Sequence, residues 1–279
     1  MSLTIRTNVG SLNAQRNLYS TQNTLNTSLA KLSSGYRITK ASDDAAGLAI
    51  SEVLRSQISG LNQASRNAQD GISFIQTAEG ALQEVHSMLQ RMNTLALQAS
   101  NATLSDANRG LIALEVGQLR SEINSISGRV NFNGVEMLGA NAGTINFQIG
   151  TNSGDTLGVT FTSVAMGTFA AALDTAITAF VGGANATTAA AMIAPIATAI
   201  DSISSMRATL GAAQNRLVHT VENINVTAEN LAASESRIRD ADIAAETAEM
   251  TKAQILMQAG VSVLAQANQM PQMTLKLLG

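Results

Sequence analysis

Between residues 54 and 99, apolar side chains return every seven positions without a miss: Leu54, Leu61, Ala68, Ile75, Leu82, Leu89 and Ala96. Three residues after most of them stand Ala64, Gly71, Ala78, Val85, Met92 and Ala99. A stripe of that period is a helix packed along its whole length against another helix. At the helical rise per residue the run spans about 70 Å, longer than an ordinary globule is wide. The second half carries an answering run, Leu217, Ile224, Leu231, Ile238 and Ala245, with Val221 and Ala228 beside it. A third stretch, 104–127, places Leu111, Leu114, Leu119, Ile123 and Ile126 at helical spacing. The fold class expected is mainly α: long heptad-patterned helices in a rod-shaped bundle. Composition agrees, because aromatic residues are 3% of the 279-residue chain and Trp is absent. The apolar content is largely Ala, Leu, Ile, Val and Met, which suits helix-on-helix packing.

Between the helical runs the texture changes. Asn133-Gly134 is a strong turn signal, and Ile145, Phe147 and Ile149 alternate before a second alternation at Leu157, Val159 and Phe161. A β-hairpin with one apolar face is predicted there. Residues 182–191 (GGANATTAAA) read as a small-residue loop at an exposed tip.

The two ends form a further pair. Leu18, Leu25 and Leu32 are spaced by seven near the start, with Leu12 and Leu29 nearby. Near the end, Leu256, Ala259, Val263, Ala267 and Met270 follow three–four spacing. Both are amphipathic helices with nothing local to cover them. The first 42 residues hold five basic side chains (Arg6, Arg16, Lys31, Arg37, Lys40) and no acid, whereas Asp242, Glu246 and Glu249 mark the other end. Weak charge complementarity between the ends follows.

Chemistry-bearing motifs are few. Cys is absent and His occurs twice, at His86 and His219, both beside core positions. Neither a disulfide framework nor a cysteine metal site can form, and no zinc-peptidase or phosphate-cradle motif is present. No cofactor is expected. Ser42-Asp43-Asp44 reads as a turn or helix cap rather than a catalytic carboxylate pair. A net charge of −3 argues against nucleic acid as a partner. Residues 253–275 lack charge, but seven Gln, Asn and Ser residues and Pro271 interrupt them, so no membrane span is expected. No secretory signal peptide is visible at residues 1–10.

Three segments resemble the bacterial flagellin family: LSSGYRITKASDDAAGLAIS (Leu32–Ser51), GRVNFNGVEML (Gly128–Leu138) and the stretch from Ser236 to Leu278 that begins SRIRDADIAAET. The resemblance covers residues 1–165 and 195–279. It implies a structural subunit, not an enzyme, that is exported unfolded by a type III apparatus and self-assembles into the extracellular flagellar filament for motility. Under that reading, residues 1–43 with 241–279 form a terminal coiled coil in the inner tube. Leu18, Leu25, Leu32, Leu256, Val263 and Met270 would be its packing residues. Residues 44–165 with 191–240 form the helical bundle with its hairpin, and 166–190 remain as a vestigial outer segment. The partners implied are further copies of the chain, an export chaperone at the C-terminal helix, the filament cap and the hook–filament junction proteins. QRMNTLALQ (Gln90–Gln98) is similar to the segment by which some flagellins engage Toll-like receptor 5. That carries the contact role to Arg91, Leu95 and Glu115, with Met92, Asn93 and Thr94 differing.

One face of the last helix carries Gln254, Gln258, Ser262, Gln266 and Gln269 without a charge. Exposed helix faces usually hold Lys and Glu, so this face is expected either to line the export channel or to bond between subunits. Two other classes fit parts of the pattern. A hook–filament junction protein shares the terminal helices, and a chemoreceptor-like signalling coil shares the heptads but requires a membrane span. A membrane-inserting translocator is the third, to be separated by liposome binding.

Overall fold

The computed structural model describes residues 7–139 and 142–278, with side chains described as far as Gln269. Three long helices dominate: α2 (Ala45–Ala99), α3 (Asp106–Arg129) and α6 (Ala186–Arg239). Terminal helices α1 (Val9–Ser34) and α7 (Ile243–Leu278) flank them in sequence. Between α3 and α6 come the short strands β1 (Asn131–Phe132) and β2 (Val135–Glu136), then β3 (Thr144–Gln148) and β4 (Thr156–Thr160). Two shorter helices follow, α4 (Met166–Phe169) and α5 (Ala171–Gly182).

The long helices start where a short polar side chain can accept from the first turn. Asn8 accepts from Ser11 N, Asp44 from Gly47 N, Ser105 from Asn108 N, Asn185 from Thr188 N and Asp242 from Ala244 N. Each satisfies a donor that the helix itself leaves open. Ser42-Asp43-Asp44 therefore acts as read: Asp44 caps α2, and the Asp43 carboxylate closes a turn by accepting from Thr39 N, Thr39 Oγ1 and Lys40 N. At the end of α1, Gly35 takes the left-handed conformation (φ 75°) that closes many helices.

The chain divides into two compact units, residues 1–58 with 229–279 and residues 59–228, so the division falls inside α2 and inside α6. In the second unit the heptad residues of α2 from Ala64 to Ala99 are buried as their period predicts. On α6 the buried line is Ala189, Met192, Ile196, Ala199, Ile203, Leu210, Leu217 and Ile224. An 18-residue stretch of α6 is apolar enough to cross a bilayer, and its large residues line this core instead. The predicted hairpin forms, with Ile145 opposite Val159 and Phe147 opposite Leu157. Asn133 (φ 51°) and Gly134 (φ 80°) make the tight turn between β1 and β2. Phe74 of α2 receives three rings edge-on, Phe132, Phe147 and Phe161, at 5.1–6.0 Å. A chain poor in aromatics thus gathers four of its six Phe residues where hairpin and helix meet. Gly71 lies beside them because a methyl there would stand 3.1 Å from Phe147 and 3.3 Å from Leu217.

Several expectations need correction. Leu111 and Leu114 do not line the seam of α3; they are 67% and 63% exposed, while Ile112, Ala113, Val116 and Ile123 are buried. Leu119, Ile123 and Ile126 do pack on the core, so the error is confined to the first turns of the helix. The run Leu217–Ala245 is not one helix: α6 ends at Arg239, and Ala245 is an exposed residue of α7. The loop predicted at 182–191 shrinks to residues 183–185, since α5 ends at Gly182 and α6 starts at Ala186. The Asn185 cap and the Ala-rich run favour helix there. The segment 166–190, expected as a vestigial outer segment, packs into the subunit core. Met166, Leu173, Ile177 and Phe180 are fully buried in the same core, at the i, i+4, i+7 spacing of an inward helix face. Arg120 of α3 grips Asp174 of α5 with both donors, and Asn124 accepts from Met166 N.

Candidate assembly site

In the first unit α1 and α7 run antiparallel. Lys31 meets Glu246 at 3.7 Å, a methyl on Gly260 would lie 3.4 Å from Leu18 Cγ, and Asn8 Nδ2 donates to Ala267 O at 2.8 Å. The ion pair is the predicted complementarity between the ends. On α1 the shielded positions include Ser11, Ala14, Leu18, Thr21, Leu25, Ser28 and Leu32, a strict a/d alternation. From Met250 to Gln269, α7 shields Met250, Ala253, Met257, Gly260, Leu264 and Ala267 and leaves every other residue exposed. Leu18, Leu25 and Leu32 therefore stand in the seam where they were expected.

Leu256 and Val263 do not. They are 51% and 54% exposed, because the apolar surface of α7 is wider than one line. Met250, Met257 and Leu264, seven apart with Ala253, Gly260 and Ala267 three later, are the line that packs on α1. That second heptad is legible in the sequence beside the line of Leu256 and Val263. The Met270 side chain lies outside the described residues. Leu256, Ala259 and Val263 form a flanking apolar line that is exposed among the described residues. Gln254, Gln258, Ser262, Gln266 and Gln269 are all exposed and stand on the side of α7 away from its seam.

Where α1 and α7 join the neighbouring helices, the two chain crossings are stitched together. Arg37 N donates to Arg239 O at 2.6 Å and Ala241 N to Gly35 O at 2.9 Å, around a bridge between Tyr36 and Asp240. The Arg239 guanidinium lies 4.6 Å from the Tyr36 ring centroid and pairs with Glu52 at 2.6 Å. No spacing in the sequence announces this contact, since its members are about two hundred residues apart.

In the second unit, Arg91 and Glu115 form an exposed ion pair at 2.7 Å across α2 and α3. Leu95 is 2% exposed. The i, i+4 spacing puts it near Arg91, but the helix turns it inward onto the core. Arg109 was not anticipated: its buried guanidinium donates to Ala99 O, Asn101 O and Asp106 Oδ1, so it clamps the turn between α2 and α3.

The family model for the bacterial flagellin N-terminal helical region matches residues 5–142, and the one for the C-terminal helical region matches 193–278. The chain belongs to the bacterial flagellin family. It is 47% identical over 274 residues to a flagellin of Halalkalibacterium halodurans, covering 98% of this chain and 99% of that one. It is 43% identical over 301 residues to a Bacillus subtilis flagellin, with the same two coverages. A 33 kDa flagellar filament core protein of Treponema phagedenis is 45% identical over 288 residues, again covering 98% and 99%. A crystal structure of Bacillus cereus flagellin is similar at 32% identity and a TM-score of 0.49, covering 61% of this chain and 94% of that one. The flagellin models leave residues 143–192 unmatched, the region that holds the hairpin and the buried helix α5.

Proposed function

We infer that this flagellin is a non-catalytic structural subunit that polymerises into the extracellular flagellar filament, with α1 and α7 forming its inner layer. One observation carries the reading: the terminal coil keeps large apolar side chains in the open. Leu12, Tyr19 and Leu29 on α1, with Ile255, Leu256, Val261 and Val263 on α7, are all at least 46% exposed. Exposed apolar surface of that extent marks contact with another macromolecule, and a helical polymer covers it on each copy with its neighbours. Deleting 1–32 or 246–279 should leave the second unit folded by circular dichroism while abolishing filaments in electron micrographs. Long filaments from either truncation would defeat the reading.

The uncharged glutamine face of α7 supports a second element of it, that this face borders the filament lumen. Amides keep such a surface wet and offer no fixed charge to a passing unfolded chain. Gln258→Lys with Gln266→Lys, diluted into unsubstituted filaments, should shorten them. Filaments of normal length containing the variant would exclude a lumenal role.

For host recognition, the exposed Arg91–Glu115 pair is the part of the predicted contact that a receptor surface can reach, with Leu95 as the buried support beneath it. Arg91→Ala should weaken Toll-like receptor 5 signalling by the monomer. Signalling equal to the parent would remove this role.

A further inference from the structure

We propose that Met250 and Met257 are modification sites: oxidation of their thioethers by hydrogen peroxide or a hypohalous acid opens the α1–α7 seam and withdraws the subunit from assembly. The first part stands on the seam itself, and the second rests on the inner-layer reading given above.

The seam of α7 is unusually dependent on sulfur. Of its six shielded positions between Met250 and Gln269, three are Ala or Gly, and the larger side chains are Met250, Met257 and Leu264. Facing them, α1 alternates Leu18, Leu25 and Leu32 with Ala14, Thr21 and Ser28. Met250 and Met257 are thus the large side chains that α7 brings to the first half of the coil. Both are half-buried rather than enclosed, so a small oxidant meets less cover there than in the core. The core methionines Met92, Met137, Met166 and Met192 are fully buried, a shelter the seam pair lacks.

In the reaction, the sulfur lone pair attacks the terminal oxygen of the peroxide. The S–O bond forms as the O–O bond breaks, and water leaves. The thioether is oxidised by two electrons and the peroxide is reduced by two. The product is a polar sulfoxide in place of a flexible apolar group. Ala253, Gly260 and the α1 leucines bring no side-chain donor to it, and Thr21 Oγ1 already donates to Asn17 O. Keeping the polar sulfoxide among them costs more than turning it to water, which pulls the side chain out of the seam. A methionine sulfoxide reductase reverses the step, so the site is switchable rather than merely damaged.

The experiment compares the full chain with Met250→Leu/Met257→Leu, a volume-conserving pair. After brief treatment of monomer with dilute peroxide and quenching, the sedimentable fraction of the parent should fall about tenfold, and reductase treatment should restore it. The double variant should polymerise as before treatment. Equal losses in both chains would overturn the proposal, as would no loss in either. A measurement that needs no variant runs beside it. Partly oxidised parent chains are polymerised, pelleted and mapped by mass spectrometry. Sulfoxide at 250 and 257 should be enriched in the supernatant, and even partition between pellet and supernatant overturns the idea. Failure of the inner-layer reading would appear separately, as filaments formed by the truncated chains.

Discussion

In the second unit α2 turns Ile75, Ala78, Leu82, Val85, Leu89 and Met92 inward, and none of them retains measurable exposure. In the first unit, α7 has a seam of the same period, yet Ala253 is its one fully buried member among the described side chains. Both helices carry heptads; what differs is the number of neighbours. The hairpin, α5 and α6 all add side chains to the core that α2 helps to line, whereas α7 has α1 on one side of it. Two helices in contact leave most of each circumference open, and packing against further elements closes it. The difference teaches that a heptad reports the readiness of a helix to pack, and says nothing of whether the chain itself provides enough partners.

The contrast can be broken at its strongest point first. Phe74→Ala removes the ring on which Phe132, Phe147 and Phe161 converge, and should destabilise the second unit by about 3–5 kcal/mol in urea denaturation. A loss below 1 kcal/mol on the order expected for surface changes would mean the cluster is not the core it looks to be. Ile177→Ala tests whether α5 belongs to that core. A cost of about 2–4 kcal/mol is expected, while an appendage would show almost none. Leu256→Ser with Val263→Ser sharpens the other side. Monomer stability should move by no more than about 0.5 kcal/mol, because these side chains are exposed among the described residues, while the yield of filament falls steeply. Monomer unfolding caused by that pair would place them in an internal contact.

The smallest expected effect is a matter of pH. The backbone N–H of Lys40, then the hydroxyl and N–H of Thr39, hold the Asp43 carboxyl below its ordinary value. A group with a lowered folded pKa adds stability that is complete above the unfolded pKa and is lost as pH falls through the folded one. Acidification past the ordinary aspartate range should loosen the turn between α1 and α2. Asp43→Asn should lack that acid-dependent change when amide exchange of residues 39–43 is followed.

What could be read beforehand divides along the same line. The seam of α2, the Leu217 and Ile224 positions of α6 and the β3–β4 hairpin were legible because each is set by a short period in one segment. Leu111 and Leu114 misled because, at the edge of a helix face, leucine alone does not tell inside from outside. Leu95 misled for the opposite reason, since a spacing that places two residues on one side of a helix does not bring both to solvent. The segment 166–182 was undervalued because its inward line, Leu173, Ile177 and Phe180, spans only two turns. Tyr36, Glu52 and Arg239 could not be found at all, as nothing local couples residues so distant along the chain.

That distance has a consequence for the order of events in folding. The bond from Asn8 to Ala267 closes a loop of 259 residues. Closing a flexible loop of such length is entropically costly, and contacts of this kind form late. Helices α2, α3 and the hairpin draw on near neighbours and can be in place long before the two ends meet. Once they are, the segments between the ends are already stiff, the loop to be closed is effectively short, and the last step costs far less than it would in a free chain. The terminal coil is therefore the final piece of the molecule to zip and, on the way back, the first to come undone.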